Sequence, residues 1–507
     1  MFIGSNNNQY SFFNYKSIVW LPFFLGILVV VTVVFYLNFP SGYNQGIYHY
    51  QGLVIKNGGL PYTGFIEKKG PMGLLTYSLA AILFGETVIA YRVFDLIILV
   101  ITGYFLFRLV RLNYSKLTSW LVSVFWLHHV LIDGPGNTGD VTNIITACYV
   151  ALAYHLLAPK TKKYCLVAGV LIALACWVKP TALLIAMPLI FLCFDKDKIC
   201  NFNQSHVLKF LLGMLIPTII FILYLLISGT FYGFWESVVL DTIFNYTGYV
   251  SRFSARTILK TGWTFLNDPV LRIGGVLSLF IFSKNSIIKL IVAGIGLMLF
   301  VEGRLYPYQF SILWPFLTIG IVEGFIVLSQ SFSEKKQKIL VVLFCIIMTF
   351  PAFKIGSTFI QAGFLTSNFD VAQTFIFPDF RDMYNHRKSV VSYLKKELNT
   401  EDEVLVLGQD PNIYLELGVI TTCRLARDGA ALTGKLTAST PSHLIAWQEE
   451  LLKYMNEVKA DWIIVSKTLP NFWIDSYKKR INSIFSEKYQ LEYETDGHLI
   501  YKKRYYK

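Results

Sequence analysis

Apolar runs close to the length of a membrane-spanning helix recur along this sequence from Ile18 to about Ile355. A helix needs about 20 apolar residues to cross the hydrocarbon layer of a bilayer. Charged residues make up only 15% of the chain, whereas soluble domains carry about 25%. Beyond the last apolar run the composition becomes that of an ordinary globular domain. The sequence therefore predicts a membrane domain over residues 1–356 and a soluble α/β domain over residues 357–507.

The charges in the loops predict the topology of the membrane domain. The apolar run Met72–Phe84 is short for a span, and if it does not cross, the basic loops all fall on one side, as the positive-inside rule requires. We therefore predict an interfacial or re-entrant helix there, a cytoplasmic N-terminus and a C-terminal domain on the outer side. The fold class is a mainly α, polytopic membrane protein with about eleven spans. The predicted spans are approximately Ile18–Leu37, Val88–Val110, Leu117–Ile132, Val141–Ala158, Tyr164–Val178, Thr181–Phe194, Val207–Gly229, Phe265–Phe282, Ile287–Val301, Tyr308–Leu328 and Ile339–Pro351.

Charge and cysteine content exclude several other classes of protein. The formal net charge of +13 would favour nucleic-acid binding in a soluble protein, but here the basic residues lie mostly in short loops between apolar runs. We interpret them as topology signals and predict no nucleic-acid partner. The seven cysteines form no CxxC pair and no Cys/His group with zinc spacing, so neither disulfides nor a structural metal is expected. The N-terminal segment has no basic stretch or cleavage site, which predicts an uncleaved anchor.

The first two predicted spans are joined by an outer loop, residues 38–87. The stretch Tyr43–Arg92, which covers most of this loop and the start of the second span, is polar, glycine-rich and aromatic. It carries Glu67, Lys68 and Lys69 immediately before Gly70-Pro71, beside a predicted membrane boundary. Charges kept at the edge of hydrocarbon are costly and usually serve function. The two lysines fit two interpretations equally well: anchors that reach the lipid headgroups, or ligands for a lipid phosphate.

Further polar groups fall on the same predicted outer side. Arg304 is a second cation that would suit a phosphate at the membrane surface. The segment Asp133–Asp140 is either an ordinary Gly/Asn/Asp turn or part of a site. Lys179, beside Pro180, is either a helix-end anchor or a ligand.

Two outer segments have amphipathic patterns. Helical periodicity over Gln45–Lys56 predicts a helix lying on the membrane. The loop Phe231–Gly262 should also lie along the outer surface, and its length favours a binding role over that of a simple connection. We expect its carboxylates, Glu236 and Asp241, to be solvated.

The C-terminal segment alternates helical and strand signals, which predicts a small α/β layer structure. It contains no glycine-rich phosphate loop, so we expect it to contact the acceptor or to stabilise the protein. The predicted helices are 389–398, 443–458 and 477–486, the predicted strands are 403–407 and 461–465, and a hairpin over 489–502 turns at Asp496-Gly497.

The stretch Tyr43–Arg92 contains a recognisable series of residues: Asn44-Gln45-Gly46, Tyr50, Gly52, Ile55, Gly59, Pro61-Tyr62, Lys69-Gly70-Pro71, Gly85 and Ala90-Tyr91-Arg92. This series resembles the first outer loop of lipid-linked sugar transferases of the GT-C superfamily. The nearest branch holds the bacterial relatives of protein O-mannosyltransferases and of lipid A aminoarabinose transferases. Weaker similarities occur at Gly136-Asn137-Thr138, Val178-Lys179-Pro180-Thr181, Phe244-Asn245-Tyr246 and Gly303-Arg304.

The resemblance implies a function and a set of site residues. It implies that a sugar is transferred with inversion from a polyprenyl phosphate to a glycan, lipid or protein acceptor of the cell envelope, on the outer face of a bacterial plasma membrane. The substrate-binding residues it indicates are Gln45, Tyr50, Tyr62, Lys69, Arg92, Asn137, Lys179, Arg304 and Tyr306.

One departure from the family pattern concerns the base. The family's presumed base is an aspartate where this chain has Asn44, and an amide cannot take up a proton. An acceptor hydroxyl needs a positioned base, and cations stabilise the leaving phosphate. An active enzyme would therefore use Glu67, Asp140 or a hydroxide bound to a divalent metal ion, with Asn44 as a positioning residue. No other cofactor is predicted.

Two other functions compete with transfer. The protein could instead be a catalytically inactive relative that binds lipid-linked sugar or partners. The sequence leaves this alternative open, because only Asn44 bears on the choice between an active enzyme and an inactive relative. A transporter or flippase should carry internal repeats and charged or broken helices at mid-membrane. The sequence has no repeat, and its polar groups gather on one face, which argues against transport.

Overall fold

The protein is described by a computed structural model that covers residues 20–37, 41–132, 139–158, 164–189, 204–245, 269–283, 285–302, 307–333, 336–337, 339–348, 378–408, 410–425, 442–467 and 475–504. Its packing divides the chain into two compact units, each assembled from separate stretches of sequence. Unit 1 comprises Met1–Phe39, Arg92–Phe221 and Ser251–Ala372, and unit 2 comprises Pro40–Tyr91, Ile222–Val250 and Gln373–Lys507.

Helices make up most of the described chain. They are α1 (Trp20–Leu37), α2 (Tyr43–Lys56), α3 (Pro71–Phe84), α4 (Val88–Arg111), α5 (Lys116–Ile132), α6 (Thr142–Leu157), α7 (Tyr164–Val178), α8 (Leu183–Ala186), α9 (Gln204–Ile227), α10 (Phe231–Phe234), α11 (Pro269–Phe282), α12 (Ser286–Glu302), α13 (Trp314–Ser329), α14 (Ile339–Met348), α15 (Pro378–Glu397), α16 (Asn412–Leu417), α17 (Ser442–Asn456) and α18 (Asp475–Lys488). Short 3₁₀ helices cover Pro180–Ala182 and Pro307–Leu313, and a π-helix covers Trp235–Asn245.

Three helices of the described chain are long and apolar enough to cross a membrane. They cover Val88–Arg111, Val207–Ile227 and Tyr308–Ser329, with mean hydropathies of 2.2, 2.7 and 2.0. Shorter apolar helices accompany them, including Pro71–Phe84, and the predicted count of eleven spans stays a prediction. Along α9 most apolar side chains are exposed, up to 84% for Ile227, which indicates surroundings of hydrocarbon rather than water.

Close helix packing in unit 1 depends on glycine. A Cβ on Gly169 of α7 would lie 2.1 Å from the carbonyl oxygen of Phe210, and one on Gly213 of α9 would lie 2.1 Å from that of Leu166. Small residues of this kind let helix backbones approach within a membrane, where dispersion replaces the hydrophobic effect between helices. The sequence analysis did not single out either glycine.

Unit 2 contains a four-stranded sheet in the order β1-β2-β4-β3. β1 (Val404–Leu407) is parallel to β2 (Trp462–Ser466), and β2 is antiparallel to β4 (His498–Lys503), which pairs with β3 (Tyr489–Glu494). All four residues of β1 are buried, which explains the unbroken apolar run of that strand. The predicted strands and closing hairpin are confirmed, whereas the six-residue helix α16 was not predicted.

Unit 2 also contains residues Pro40–Tyr91, which were predicted to form the first outer loop, and here two predictions are wrong. The helix predicted over Gln45–Lys56 exists as α2, but it does not lie on a surface, since it is buried along Gln45–Val54. Asp241, expected to be solvated, lies on the π-helix and is fully buried. The rest of the predicted amphipathic loop, residues 246–262, lies outside the described residues.

The boundary predicted between residues 356 and 357 also lies outside the described residues, so the division into two sequence domains stays a prediction. The structure nevertheless places residues from 373 onward in the same compact unit as the first outer loop. This association was not evident from the sequence, because the two stretches are separated by most of the chain.

Candidate functional site

Glu67 organises the polar segment that precedes α3. Its side chain is fully buried, and its Oε2 accepts a hydrogen bond from Gln51 Nε2 at 2.6 Å. Its Oε1 accepts the backbone N–H groups of Lys68 and Lys69 at 2.7 and 3.1 Å. These contacts fix the backbone that carries the two lysines, so they favour a positioning role for Glu67.

Tyr62 closes the same segment from the other side. Its hydroxyl donates a hydrogen bond to the carbonyl oxygen of Lys69 at 2.7 Å. Its φ of +66° is unusual for a residue other than glycine, and such conformations persist only where the surroundings enforce them. Phe234 meets its ring edge-on at 5.6 Å, and a Cβ on Gly233 would lie 2.8 Å from its carbonyl oxygen. Tyr62 is therefore a structural support of the Lys69 backbone.

The two adjacent lysines have different surroundings. Lys68 Nζ lies 2.9 Å from Oδ2 of the buried Asp241, whose Oδ1 lies 3.8 Å from His443 Nε2. Lys69 is half-buried, and its ammonium group has no ion-pair partner within the described residues. It directly precedes Gly70, the N-cap of α3, and Pro71 at the first helical position. Because helix N-termini favour anions, Lys69 and the start of α3 form a candidate anion site.

Residues of the C-terminal stretch hold the helix that carries Asn44 and Gln45. Asn44 is half-buried, and Gln45 is fully buried. Asn412 Nδ2 donates to the carbonyl oxygen of Gly42 at 3.2 Å, just before α2 begins. A Cβ on Gly46 would lie 2.3 Å from Asn412 Oδ1, so only glycine fits at that position in the present packing.

Tyr50 and Ile66 take part in the same association. The Tyr50 hydroxyl accepts the backbone N–H of Thr421 at 3.1 Å, and its ring stacks on Tyr414 at 4.9 Å. Burial raises the pKa of the Tyr50 phenol, so the group stays neutral. The Ile66 N–H donates to the carbonyl oxygen of Arg424 at 2.9 Å. These contacts give Tyr50 a docking role within unit 2, and its contact with substrate stays a prediction.

In unit 1, Lys179 is neutralised by a carboxylate that the sequence analysis did not select. Its Nζ lies 2.5 Å from Oε2 of Glu302, at the end of α12. Glu302 also accepts hydrogen bonds from Thr181 Oγ1 at 2.5 Å and from Gln309 Nε2 at 2.7 Å. The only sequence signal for Glu302 was its position, a lone acid at the end of an apolar run next to the Arg304 motif.

Arg92 also lies in unit 1, inside a buried polar network. Its guanidinium lies 5.0 Å above the ring of Tyr36, whose hydroxyl donates to Asp95. Asn143 Nδ2 donates to Asp95 Oδ1 at 2.9 Å. Arg92 and Asp95 thus meet at Tyr36, where their opposite charges compensate each other, whereas the predicted contact of Arg92 with substrate stays a prediction.

Asp140 lies just before α6 and is buried, and its Oδ1 accepts the backbone N–H of Thr142 at 3.1 Å. A carboxylate at the start of a helix is stabilised there, so this contact explains part of its placement. Asn137, Arg304 and Tyr306 lie outside the described residues. Within the described ranges, no group of three or more His, Cys, Asp or Glu residues is arranged to hold a metal ion.

Known proteins match this chain in sequence and in fold. Residues 68–225, under a third of the chain, match the family described as dolichyl-phosphate-mannose-protein mannosyltransferase. ArnT from Cupriavidus metallidurans superposes with a TM-score of 0.59 in its complex with undecaprenyl phosphate and 0.58 in its apo state. The identity is 10% in each case, over 95% of this chain and 97% of ArnT. The chain is thus similar to the protein mannosyltransferase family over residues 68–225, and it shares the fold of ArnT over nearly its whole length.

Other comparisons extend this result little. An oligosaccharyltransferase from Archaeoglobus fulgidus, solved in complex with zinc and sulfate, gives a TM-score of 0.48 at 14% identity, over 94% of this chain and 73% of its own. No curated protein sequence matches the chain. The family match agrees with the resemblance seen in the sequence, and the matched region begins at Lys68, just before the Lys69-Gly70-Pro71 part of that motif.

Proposed function

We propose that this protein is a GT-C superfamily enzyme, which transfers a sugar from a polyprenyl phosphate to an acceptor of the cell envelope, on the outer face of a bacterial plasma membrane. ArnT, whose fold the chain shares, was solved with undecaprenyl phosphate bound, which supports a lipid of this class as the sugar carrier. The N-terminus would be cytoplasmic and the C-terminal residues extracytoplasmic, with about eleven spans between them.

One observation carries the proposal within the structure: Lys69 at the start of α3. Its backbone is fixed by Glu67 and Tyr62, and its ammonium group has no acidic partner within the described residues. A fixed cation beside a helix N-terminus suits the phosphate of the donor and stabilises the charge on the phosphate as it leaves. Arg304 would be a second phosphate contact.

The proposed reaction is a direct displacement with inversion. A base takes the proton of the acceptor hydroxyl as its oxygen attacks the anomeric carbon. The bond from that carbon to the phosphate oxygen breaks, and polyprenyl phosphate leaves. Glu67 and Asp140 remain the proposed candidates for the base, with Asn44 as a positioning residue. Glu67 already accepts three N–H hydrogen bonds, which engage both of its carboxylate oxygens, so we favour Asp140 as the base.

A catalytically inactive, lipid-binding relative is the second candidate function. It is favoured by Asn44, which cannot act as a base where the related enzymes have an aspartate. Both functions require binding of the lipid phosphate, and only transfer distinguishes them.

Binding of undecaprenyl phosphate to the purified protein tests the shared claim. Losing one charge-assisted contact costs about 1.5–3 kcal/mol, so Lys69→Ala should bind roughly 10 to 100 times more weakly. Lys69→Arg should retain most of the affinity. Lys56→Ala is a matched control, since Lys56 forms only an exposed ion pair with Glu86 at 2.8 Å. Equal affinities of Lys69→Ala and Lys56→Ala would place the phosphate elsewhere.

A further inference from the structure

Asp241 anchors the lysine that directly precedes Lys69. The carboxylate is fully buried, and its Oδ2 lies 2.9 Å from Lys68 Nζ. A buried charge is tolerated only when it is paired, so the structure resists separation of these two groups. His443 lies on the other side of the carboxylate, with its Nε2 at 3.8 Å from Oδ1 and its ring against Trp447 at 5.2 Å.

The anchor joins three stretches of unit 2 that are distant in sequence. Lys68 belongs to the first outer loop, Asp241 to the π-helix Trp235–Asn245, and His443 to the first turn of α17. π-helical turns are rare and occur frequently at functional sites. The ion pair between Lys68 and Asp241 is therefore part of the packed interior of unit 2 and differs from an ion pair at the surface.

The position of Lys69 follows from how Lys68 is held. The backbone N–H groups of both lysines donate to Glu67 Oε1, and the Lys69 carbonyl accepts the Tyr62 hydroxyl. The ion pair between the Lys68 side chain and Asp241 adds a further restraint to the backbone turn that carries Lys69. Removing the ion pair would leave the turn that carries the Lys69 ammonium group held only by its hydrogen bonds to Glu67 and Tyr62.

We propose that Asp241 is a positioning residue, which by holding Lys68 directs the Lys69 ammonium group to the phosphate of the lipid donor. This inference rests on the proposed function, since it requires that Lys69 binds the phosphate. The proposed role of Asp241 favours binding of the phosphate. The negative charge of Asp241 has the opposite effect, because a carboxylate near an anion site repels the anion.

Because the two effects are opposed, they predict opposite changes in the affinity for undecaprenyl phosphate when the Asp241 carboxylate is removed. If Asp241 acts on the phosphate only through its charge, Asp241→Asn removes a repulsion and undecaprenyl phosphate binds more tightly. If Asp241 positions Lys69, the same change weakens binding, by roughly tenfold when one charge-assisted contact is lost. The double variant Lys68→Met/Asp241→Asn restores the net charge of the pair, so a field effect predicts wild-type affinity and positioning predicts continued weak binding.

The experiment measures the affinity of the purified full-length protein for undecaprenyl phosphate and for undecaprenol, which lacks the phosphate. Positioning predicts that Asp241→Asn and the double variant lose affinity for the phosphate lipid and keep their affinity for undecaprenol. Glu86→Gln is the matched control, because it removes a carboxylate of the same loop that pairs with a lysine at the surface. Its affinities should equal those of the wild type.

Three outcomes would overturn the inference: tighter or unchanged binding of undecaprenyl phosphate by Asp241→Asn, wild-type affinity of the double variant, or an equal loss for both lipids, which would mean a damaged fold. Failure of the proposed function gives a different pattern. In that case Lys69→Ala itself binds undecaprenyl phosphate as well as the wild type does.

Discussion

Gly46→Ala should destabilise the association between α2 and the C-terminal residues. The added Cβ would lie 2.3 to 2.5 Å from three side-chain atoms of Asn412. Asn412 cannot move aside without loss, because it is buried and donates to Gly42 O at 3.2 Å and to Asp410 Oδ1 at 2.9 Å. The glycine of the Asn-Gln-Gly motif is thereby explained by packing.

The magnitude follows from three contributions. Overpacking a filled site costs about 1–3 kcal/mol. Each of the two displaced hydrogen bonds contributes about 1 kcal/mol. Alanine regains up to about 1 kcal/mol of helix propensity over glycine. The expected net loss is about 2–4 kcal/mol.

Hydrogen exchange of the α2 amides is the suitable assay, since it reports local opening in a large protein that need not unfold in one step. The α2 amides of Gly46→Ala should exchange faster, while Gly296→Ala, where a Cβ has no neighbour within 4 Å, should behave as the wild type. Adding Asn412→Ala to Gly46→Ala removes the clash and should leave only the loss caused by Asn412→Ala itself. Unchanged exchange in Gly46→Ala would refute the packing argument.

Three further predictions concern pH, the base and topology. Burial lowers the pKa of His49 from 6.5 to about 4, so between these two pH values the unfolded chain binds more protons than the folded protein. The stability of the fold should therefore fall as the pH drops through this window. Thermal unfolding at pH 7 and pH 5 should show a smaller loss of stability for His49→Phe than for the wild type. If the protein is a transferase, one of the variants Glu67→Gln and Asp140→Asn should lose about 10²–10⁴ in transfer rate, and the other should show only a mild loss. Full turnover in both variants would exclude both residues as the base. If the wild type is inactive and Asn44→Asp gains transfer activity, the protein is a decayed enzyme. A reporter that is active only in the cytoplasm should be inactive when it is fused to the C-terminus. An active fusion would rule out the eleven-span model.

Thiol labelling of Cys423 cannot replace that fusion. Cys423 is buried, and burial raises the pKa of its thiol to about 12. A reagent that attacks thiolates would therefore leave Cys423 of the folded protein unlabelled on either side of the membrane.

Features that depend on local pattern could be predicted from the sequence. The buried run Val404–Leu407 and the hairpin at Asp496-Gly497 have strand and turn signals of their own, and the structure confirms them. The apolar helices follow from composition in the same way. Lys69 could be singled out because it lies beside Gly-Pro at a predicted boundary.

Features that depend on distant partners could not be predicted. The pairing of Lys68 with Asp241 and of Lys179 with Glu302 joins loops that are far apart in sequence, and no local pattern indicates a partner. The burial of α2 was missed for a related reason: its polar residues suggested a wet surface, whereas groups such as Tyr50 bond to the C-terminal residues. Asp241 appeared solvated because an amphipathic pattern does not show which polar group another segment will cover.

The glycans of cells with and without this protein test the central claim most directly. Deletion should remove one sugar modification from the cell envelope, the wild-type chain should restore it, and Lys69→Ala, produced at the same level, should not. Identical glycan profiles in cells that have the protein and cells that lack it would contradict the proposed transfer from a polyprenyl phosphate.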